Sequence, residues 1–180
     1  MIVIMQVLHR EVQYVRQKFI VAIVAFSALL PVSFFTIGII LQIGYGIEFG
    51  EKPMSNQELI IRTTISVIFA LLVLMLFKFS NLTIEVKTDG FYYQYFPFHM
   101  SVKKIGKEVV KSVTLRAFRP IAEFGGWGIR YGFGRRGKGY IASGNTGVQF
   151  VLNNDKKLLF STTEPEKMRL AIEKVFKIEN

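Results

Sequence analysis

Two long apolar runs, Phe19–Ile43 and Leu59–Phe79, stand ahead of residues 80–180, where the pattern changes to short alternating stretches. The first run is 25 residues without a charged side chain. As a helix it measures roughly 37 Å, against about 30 Å of bilayer hydrocarbon. It spans with tilt, or bends at Pro31, whose missing N–H interrupts the helical ladder. The second run is 21 residues, with Arg62 and Lys78 close enough to its ends to snorkel. A cleaved signal peptide is the rival reading of the first run. The apolar stretch is too long for one and no small-residue cleavage pattern follows, so a transmembrane helical hairpin over 19–79 is expected.

The flanking charges set its direction. Arg10, Arg16 and Lys18 precede the first span against Glu11, whereas Glu48, Glu51 and Glu58 outnumber Lys52 in the connection 44–58. After residue 79 there are 17 Lys or Arg and 9 Asp or Glu. The positive-inside bias places 44–58 outside a cell membrane and both termini in the cytoplasm, with Arg62 on the contrary side. The chain has no cysteine, which suits a cytosolic domain.

Within the spans, Ala22, Ala25 and Ala28 recur at helical spacing in the first and Thr63, Ser66 and Ala70 in the second. Small side chains let helices approach closely in lipid, so these are the expected helix–helix packing residues, within the hairpin or against another subunit. Neither span has a charge near its midpoint, which argues against a transporter or proton relay. In the segment 1–18, Leu8, Val12, Val15 and Phe19 are spaced by four, three and four, which predicts an interfacial helix or a cytoplasmic extension of the first span.

From Leu82 the periodicity is that of strands. Leu82–Thr88 and Phe91–Phe96 flank Asp89-Gly90, a strong hairpin signal. A third strand is predicted over Lys111–Phe118, after a turn around Lys104–Val109. Trp127–Tyr131 and Tyr140–Ser143 bracket the glycine-rich Gly132–Gly139, and Val148–Leu152 and Lys157–Ser161 bracket Asn153-Asn154-Asp155. Thr163-Glu164-Pro165-Glu166 announces a closing helix through a cap, an early proline and first-turn acids. Met168, Ala171, Ile172, Val175 and Phe176 form its apolar stripe. The expected class is α+β: a two-helix hairpin followed, over 80–180, by a seven-stranded barrel or sandwich capped by a carboxy-terminal helix, in the order of a pleckstrin-homology-like domain.

Several segments carry a resemblance: Arg10-Glu11-Val12-Gln13, Asp89-Gly90 with Phe96-Pro97-Phe98-His99, Arg119-Pro120 with Gly125-Gly126-Trp127-Gly128-Ile129-Arg130-Tyr131-Gly132, and Ser143-Gly144-Asn145 with Gly147-Val148. In these the chain resembles a family of uncharacterised prokaryotic membrane proteins with two spans and a domain similar to bacterial pleckstrin-homology domains. The resemblance implies architecture and no activity.

Gly132-x-Gly134-x-x-Gly137 matches the dinucleotide fingerprint in letters, but that motif needs a helix after it and a strand is predicted here. The loop is better read as a hairpin tip bearing Arg135, Arg136 and Lys138, with Arg130 just before it. These four are the candidate contacts for an anion, either a lipid headgroup or an acidic protein face; a solvated loop is the plain alternative. About three residues separate Phe79 from the first predicted strand, a reach of roughly 10 Å, so the domain is expected at the inner leaflet. Phe96-Pro97-Phe98-His99-Met100 and Trp127 are read first as packing at a barrel end and second as membrane or partner contacts. His9 and His99 lack ligand-spaced companions, and no nucleophile–base motif is present, so neither metal, cofactor nor catalytic residue is expected. The basic residues are dispersed except at 130–138, which argues against nucleic acid despite a pI near 9.9. The expectation is a membrane-anchored, non-catalytic interaction module contacting anionic lipid or a protein partner. The alternative is a small accessory subunit of a larger integral membrane complex.

Overall fold

The computed structural model describes residues 6–15 and 18–176, apart from the side chain of Phe19. Parts of the predicted 1–18 helix, at 1–5, 16 and 17, lie outside those residues, as does the Phe19 side chain of its stripe. The chain divides into two units, one formed by Gln17–Lys78 and the other by Met1–Arg16 with Phe79–Asn180.

The helical unit contains α1 (Lys18–Ile39), which runs through Pro31 and into a π-helical turn at Ile40–Gly44, and α2 (Asn56–Phe79). Ser55 and Glu58 form a capping box at the start of α2: the Glu58 N–H donates to Ser55 Oγ at 3.2 Å, and the Ser55 N–H donates to the Glu58 carboxylate at 3.3 Å. The hydroxyls of Ser33, Thr63, Thr64 and Ser66 each donate to a carbonyl three or four residues earlier in their own helix. These polar groups are therefore satisfied without water, as an apolar solvent demands. Both helices are long and apolar enough to cross a membrane, and most of their surface is uncovered by protein.

The second unit holds two antiparallel-rich sheets and a carboxy-terminal helix. One sheet has the order β1–β2–β3–β4, with β1 (Val7–Tyr14), β2 (Asn81–Lys87), β3 (Gly90–Phe96) and β4 (Lys103–Gly106). The other is built from β5 (Val110–Ala117), β6 (Gly128–Tyr131), β7 (Lys138–Ile141), β8 (Thr146–Leu152) and β9 (Lys157–Thr162), in the order β5–β8–β9–β7–β6. A short helix α3 (Pro120–Phe124) precedes β6, and α4 (Pro165–Val175) closes the fold. The core is aromatic. Phe91 of β3 lies 4.7 Å from Phe150 and 4.8 Å from Phe160 by ring centroids, and Tyr93 lies 4.9 Å from Tyr140. α4 lies against β1 and β2 with Met168, Ala171 and Ile172 buried. Met168 and Ile172 each contribute about 1.5–3 kcal/mol by removal from water, and the smaller Ala171 less.

Two sequence expectations are corrected. Within 1–18, the helix expected before Lys18 is replaced by a strand: Val7–Tyr14 is paired antiparallel with β2 from Val7↔Lys87 to Tyr14↔Asn81. The strand count among the described residues is nine rather than seven, because β1 joins the sheet and because the predicted turn around Lys104–Val109 opens with a fourth strand before its 3₁₀ turn at Lys107–Val109.

The burial of β1 gives the physical reason for the first correction. His9, Glu11 and Gln13 face inward, while Val7, Arg10, Val12 and Tyr14 face outward, so the polar residues are the buried ones. Glu11 accepts from the Thr162 hydroxyl at 2.7 Å, from the Thr163 N–H at 2.7 Å and from the Thr163 hydroxyl. Gln13 donates to the Ser161 carbonyl at 2.6 Å and accepts from the hydroxyls of Ser161 and Ser143. This seam bonds the edge of the first sheet to the end of β9 in the second. It also diverts Thr163 from the capping role expected of it: Glu164 occupies the N-cap of α4, and Pro165 is the first helical residue.

Candidate functional site

The hairpin β6–β7 and the helix before it are assembled around Phe124. Phe124 is buried with Phe118, Ile141 and Leu159, and Trp127 packs against that cluster, so Trp127 is a packing residue in this fold. Gly132 and Gly139 leave room for the Phe124 ring, since a Cβ at either position would stand within 2.9 Å of it. Gly137 is needed twice over: its φ is +80°, and a Cβ there would meet the Lys157 carbonyl oxygen at 2.1 Å. The letters of the dinucleotide fingerprint thus have a different cause, a glycine turn closed by the Gly132 N–H donating to the Gly137 carbonyl at 2.7 Å.

Glu123, in α3, organises the charges. It pairs with Arg116 at 2.9 Å and Arg136 at 3.3 Å, and it accepts from the Arg119 N–H at 2.9 Å. Burial pushes its carboxyl up, but the Arg119 N–H and the Arg116 and Arg136 guanidiniums outweigh that and hold it below the ordinary value. The four candidate cations therefore differ. Arg136 is committed to Glu123; Lys138 lies over the rings of Tyr131 and Tyr140, at 5.5 and 5.2 Å from their centroids. Arg130 is exposed, with its Nε–H donating to the Trp127 carbonyl at 2.9 Å, and Arg135 is exposed at the tip. Sequence reasoning missed Glu123 as the hub, together with Tyr131 and Phe133, which are exposed beside the cations. Tyr131 and Phe133, alternating with glycines and flanked by Arg130 and Arg135-Arg136, were a legible signal for the latter pair.

In the helical unit, Ala28 is buried on α1 while Ala25 is half-buried and Ala22 is exposed. On α2, Ser66 and Ala70 are buried and Thr63 is half-buried, on one face with the buried Leu59. The close approach falls at a residue not anticipated. A Cβ on Gly38 would stand 2.8 Å from Phe49 and 3.1 Å from Leu59. Near the same end, Gln42 donates to the Met54 carbonyl at 2.8 Å and to the Asn56 side chain at 2.7 Å.

The histidines sit apart. His9 is buried with Nε2 3.7 Å from Glu11 and 3.9 Å from Glu164. His99 is buried between the rings of Tyr93 and Tyr140, at 5.8 and 5.6 Å. Burial, with the charges of Lys103 and Lys138, lowers the His99 pKa. The other residues of that connection depart from the packing expected of them: Phe98 and Met100 are exposed, not buried. Comparison with protein-family models, curated proteins and solved structures finds no match for this chain.

Proposed function

We propose that this chain is a membrane-anchored, non-catalytic interaction module. Its helical hairpin crosses the bilayer, and its β domain is held at the inner leaflet, where Arg130, Arg135 and Lys138 engage anionic lipid headgroups or an acidic partner. The β domain is read as pleckstrin-homology-like, a reading supported by two sheets around an aromatic core and a closing helix.

One observation carries the proposal: α1 and α2 are inserted between two paired strands. The chain leaves β1 at Tyr14 and returns to β2 at Asn81, and these residues are directly opposite each other in the sheet. Opposed residues in an antiparallel pair stand about 5 Å apart, so both ends of a spanning insert lie on one side of the bilayer. That requires an even number of crossings, which two apolar helices provide. The charge bias then assigns that side to the cytoplasm. The exposed Arg130 and Arg135, with the half-buried Lys138, contribute about 1 kcal/mol each at an anionic surface, enough to orient a domain that the helices already anchor.

The absence of native cysteine gives a direct test. Single cysteines at Glu51, between the helices, and at Asp155, on the β8–β9 turn, are labelled in intact cells with a membrane-impermeant maleimide. Glu51→Cys is expected to react from outside and Asp155→Cys only after lysis. Labelling of Asp155→Cys in intact cells, or recovery of the chain without detergent, overturns the proposal.

A further inference from the structure

We propose that the β3–β4 turn is a third membrane contact, with Phe98, Met100 and Val102 seated at the boundary between acyl chains and headgroups and Lys103 held among the headgroups. This rests on the membrane-anchor reading above and adds a depth-defining element to it.

The turn exposes apolar side chains that a water-facing loop has no reason to carry: Phe98 is 68% exposed, Met100 83% and Val102 57%. Its place in the sheet selects the occupant. Phe96, the last residue of β3, is paired with Asn81, which is paired with Tyr14. The turn therefore projects from the same end of the sheet at which the chain departs for α1 and returns from α2. If the helices span, that sheet end is the one tethered to the bilayer, because the chain runs from Tyr14 to α1 and from α2 to Asn81 within a few residues. A protein partner or a second copy would have to displace lipid from it.

The turn is also held in this attitude. The His99 N–H donates to the Tyr95 carbonyl at 2.8 Å, and Gln94 donates to the His99 carbonyl at 3.1 Å. The His99 ring is turned into the core between Tyr93 and Tyr140, so its neighbours Phe98 and Met100 point away. Lys103, the residue at which the turn enters β4, is exposed beside these apolar tips. Exposed apolar tips followed directly by Lys103 match an anionic bilayer interface.

The test uses the full chain in vesicles of phosphatidylcholine and phosphatidylglycerol whose acyl chains carry bromine. Trp127, the single native tryptophan, is replaced by Phe, and one tryptophan is placed by Phe98→Trp, Ile68→Trp or Val7→Trp. The Phe98→Trp chain is expected to emit to the blue of an exposed tryptophan and to be quenched most by bromines high on the acyl chain. The Ile68→Trp chain, halfway along α2, should respond most to deep bromines. Val7→Trp, at the opposite end of the sheet, should not respond. Unquenched Phe98→Trp with quenched Ile68→Trp overturns this inference alone. Unquenched Ile68→Trp overturns the anchor and the inference with it. Equal quenching of Val7→Trp and Phe98→Trp also refutes it, because the sheet then has no lipid-facing end. Should Phe98→Trp fail to fold, a polarity-sensitive dye on Met100→Cys reads the same depth.

Discussion

Excising the helical insert should leave a folded, soluble β domain, and removing β1 as well should destroy it. Two shortened chains make the comparison: residues 6–15 joined to 80–176 through Asn-Gly, and 80–176 alone. The join is short because Tyr14 and Asn81 are already opposed, and Asn-Gly suits a tight connection between antiparallel strands. What the shorter chain loses can be worked from the seam. Glu11 and Gln13 take part in six side-chain hydrogen bonds to the segments around Ser143 and Ser161–Thr163. At about 1 kcal/mol for a neutral bond and about 2 for one to a carboxylate, the seam is worth up to about 9 kcal/mol. The whole stability of a domain is only about 5–15 kcal/mol. Loss of β1 also bares one edge of β2 along its length. Near-ultraviolet circular dichroism and amide dispersion by NMR, followed through a thermal melt, are the assay. The joined chain should melt cooperatively and 80–176 should show no cooperative transition. Glu11→Ala in the joined chain leaves the Thr162 hydroxyl and the Thr163 N–H without their acceptor. That should cost about 2–4 kcal/mol, a fall in Tm of about 10–20 °C for a domain of this size. Equal melting temperatures for the two shortened chains would refute the claim that β1 belongs to the domain.

Three further outcomes follow from the geometry. Gly38→Leu should force α1 from Phe49 and Leu59 and cost about 1–3 kcal/mol of helix packing; the readout is crosslinking of Gln42→Cys to Asn56→Cys by a short bis-maleimide, at side chains that hydrogen-bond at 2.7 Å, expected in the parent chain and reduced with Gly38→Leu. Glu123 has its pKa held below the ordinary 4.5, so its stabilising effect is fully present above that pH and disappears as pH falls through the lower folded value. The joined chain should therefore outmelt its Glu123→Gln variant at neutral pH and converge with it in acid; a gap independent of pH counts against the Arg116–Glu123–Arg136 cluster as its source. Replacing Arg130, Arg135 and Lys138 by Gln should weaken binding of the joined chain to anionic vesicles by about 3 kcal/mol, roughly a hundredfold. The difference should shrink at high salt, and Arg136→Gln should matter less because that side chain is held by Glu123.

The helices and most strands were legible because their residues obey one rule each. The runs at 19–43 and 59–79 are apolar all round, and the Asp89-Gly90 and Asn153–Asp155 turns join strands where expected. The stripe on α4 is buried through Met168, Ala171, Ile172 and Phe176. α3 was overlooked although its marks were present, Pro120 at the first turn and Gly125 in the left-handed conformation at its end. β4 has only four residues, begins with Lys103-Lys104 and buries Ile105 and Gly106 alone, too little alternation to register as a strand. The basic hairpin was located by composition, but its division of labour was not. Glu123 reaches Arg136 through a fold contact thirteen positions away in the chain, which spacing does not announce.

β1 was illegible for a deeper reason, and that reason explains the architecture. Hydropathy patterns assume that the buried face is the apolar one. In β1 the buried face is His9, Glu11 and Gln13, made tolerable because the groups around Ser143 and Ser161–Thr163 supply their hydrogen-bond partners. Leu8, Val12 and Val15, of which only Val12 is exposed, mimic in their spacing a helical stripe leading into α1. A polar seam also specifies more than an apolar one would. An apolar strand could pair in a slipped register, whereas Glu11 and Gln13 find their partners in one alignment only. That alignment sets Tyr14 opposite Asn81 and so brings both roots of the helical insert to a single point on the sheet. An insert that leaves and returns at one point can cross a bilayer only an even number of times, and the buried carboxylate of Glu11 is the residue on which that geometry most depends.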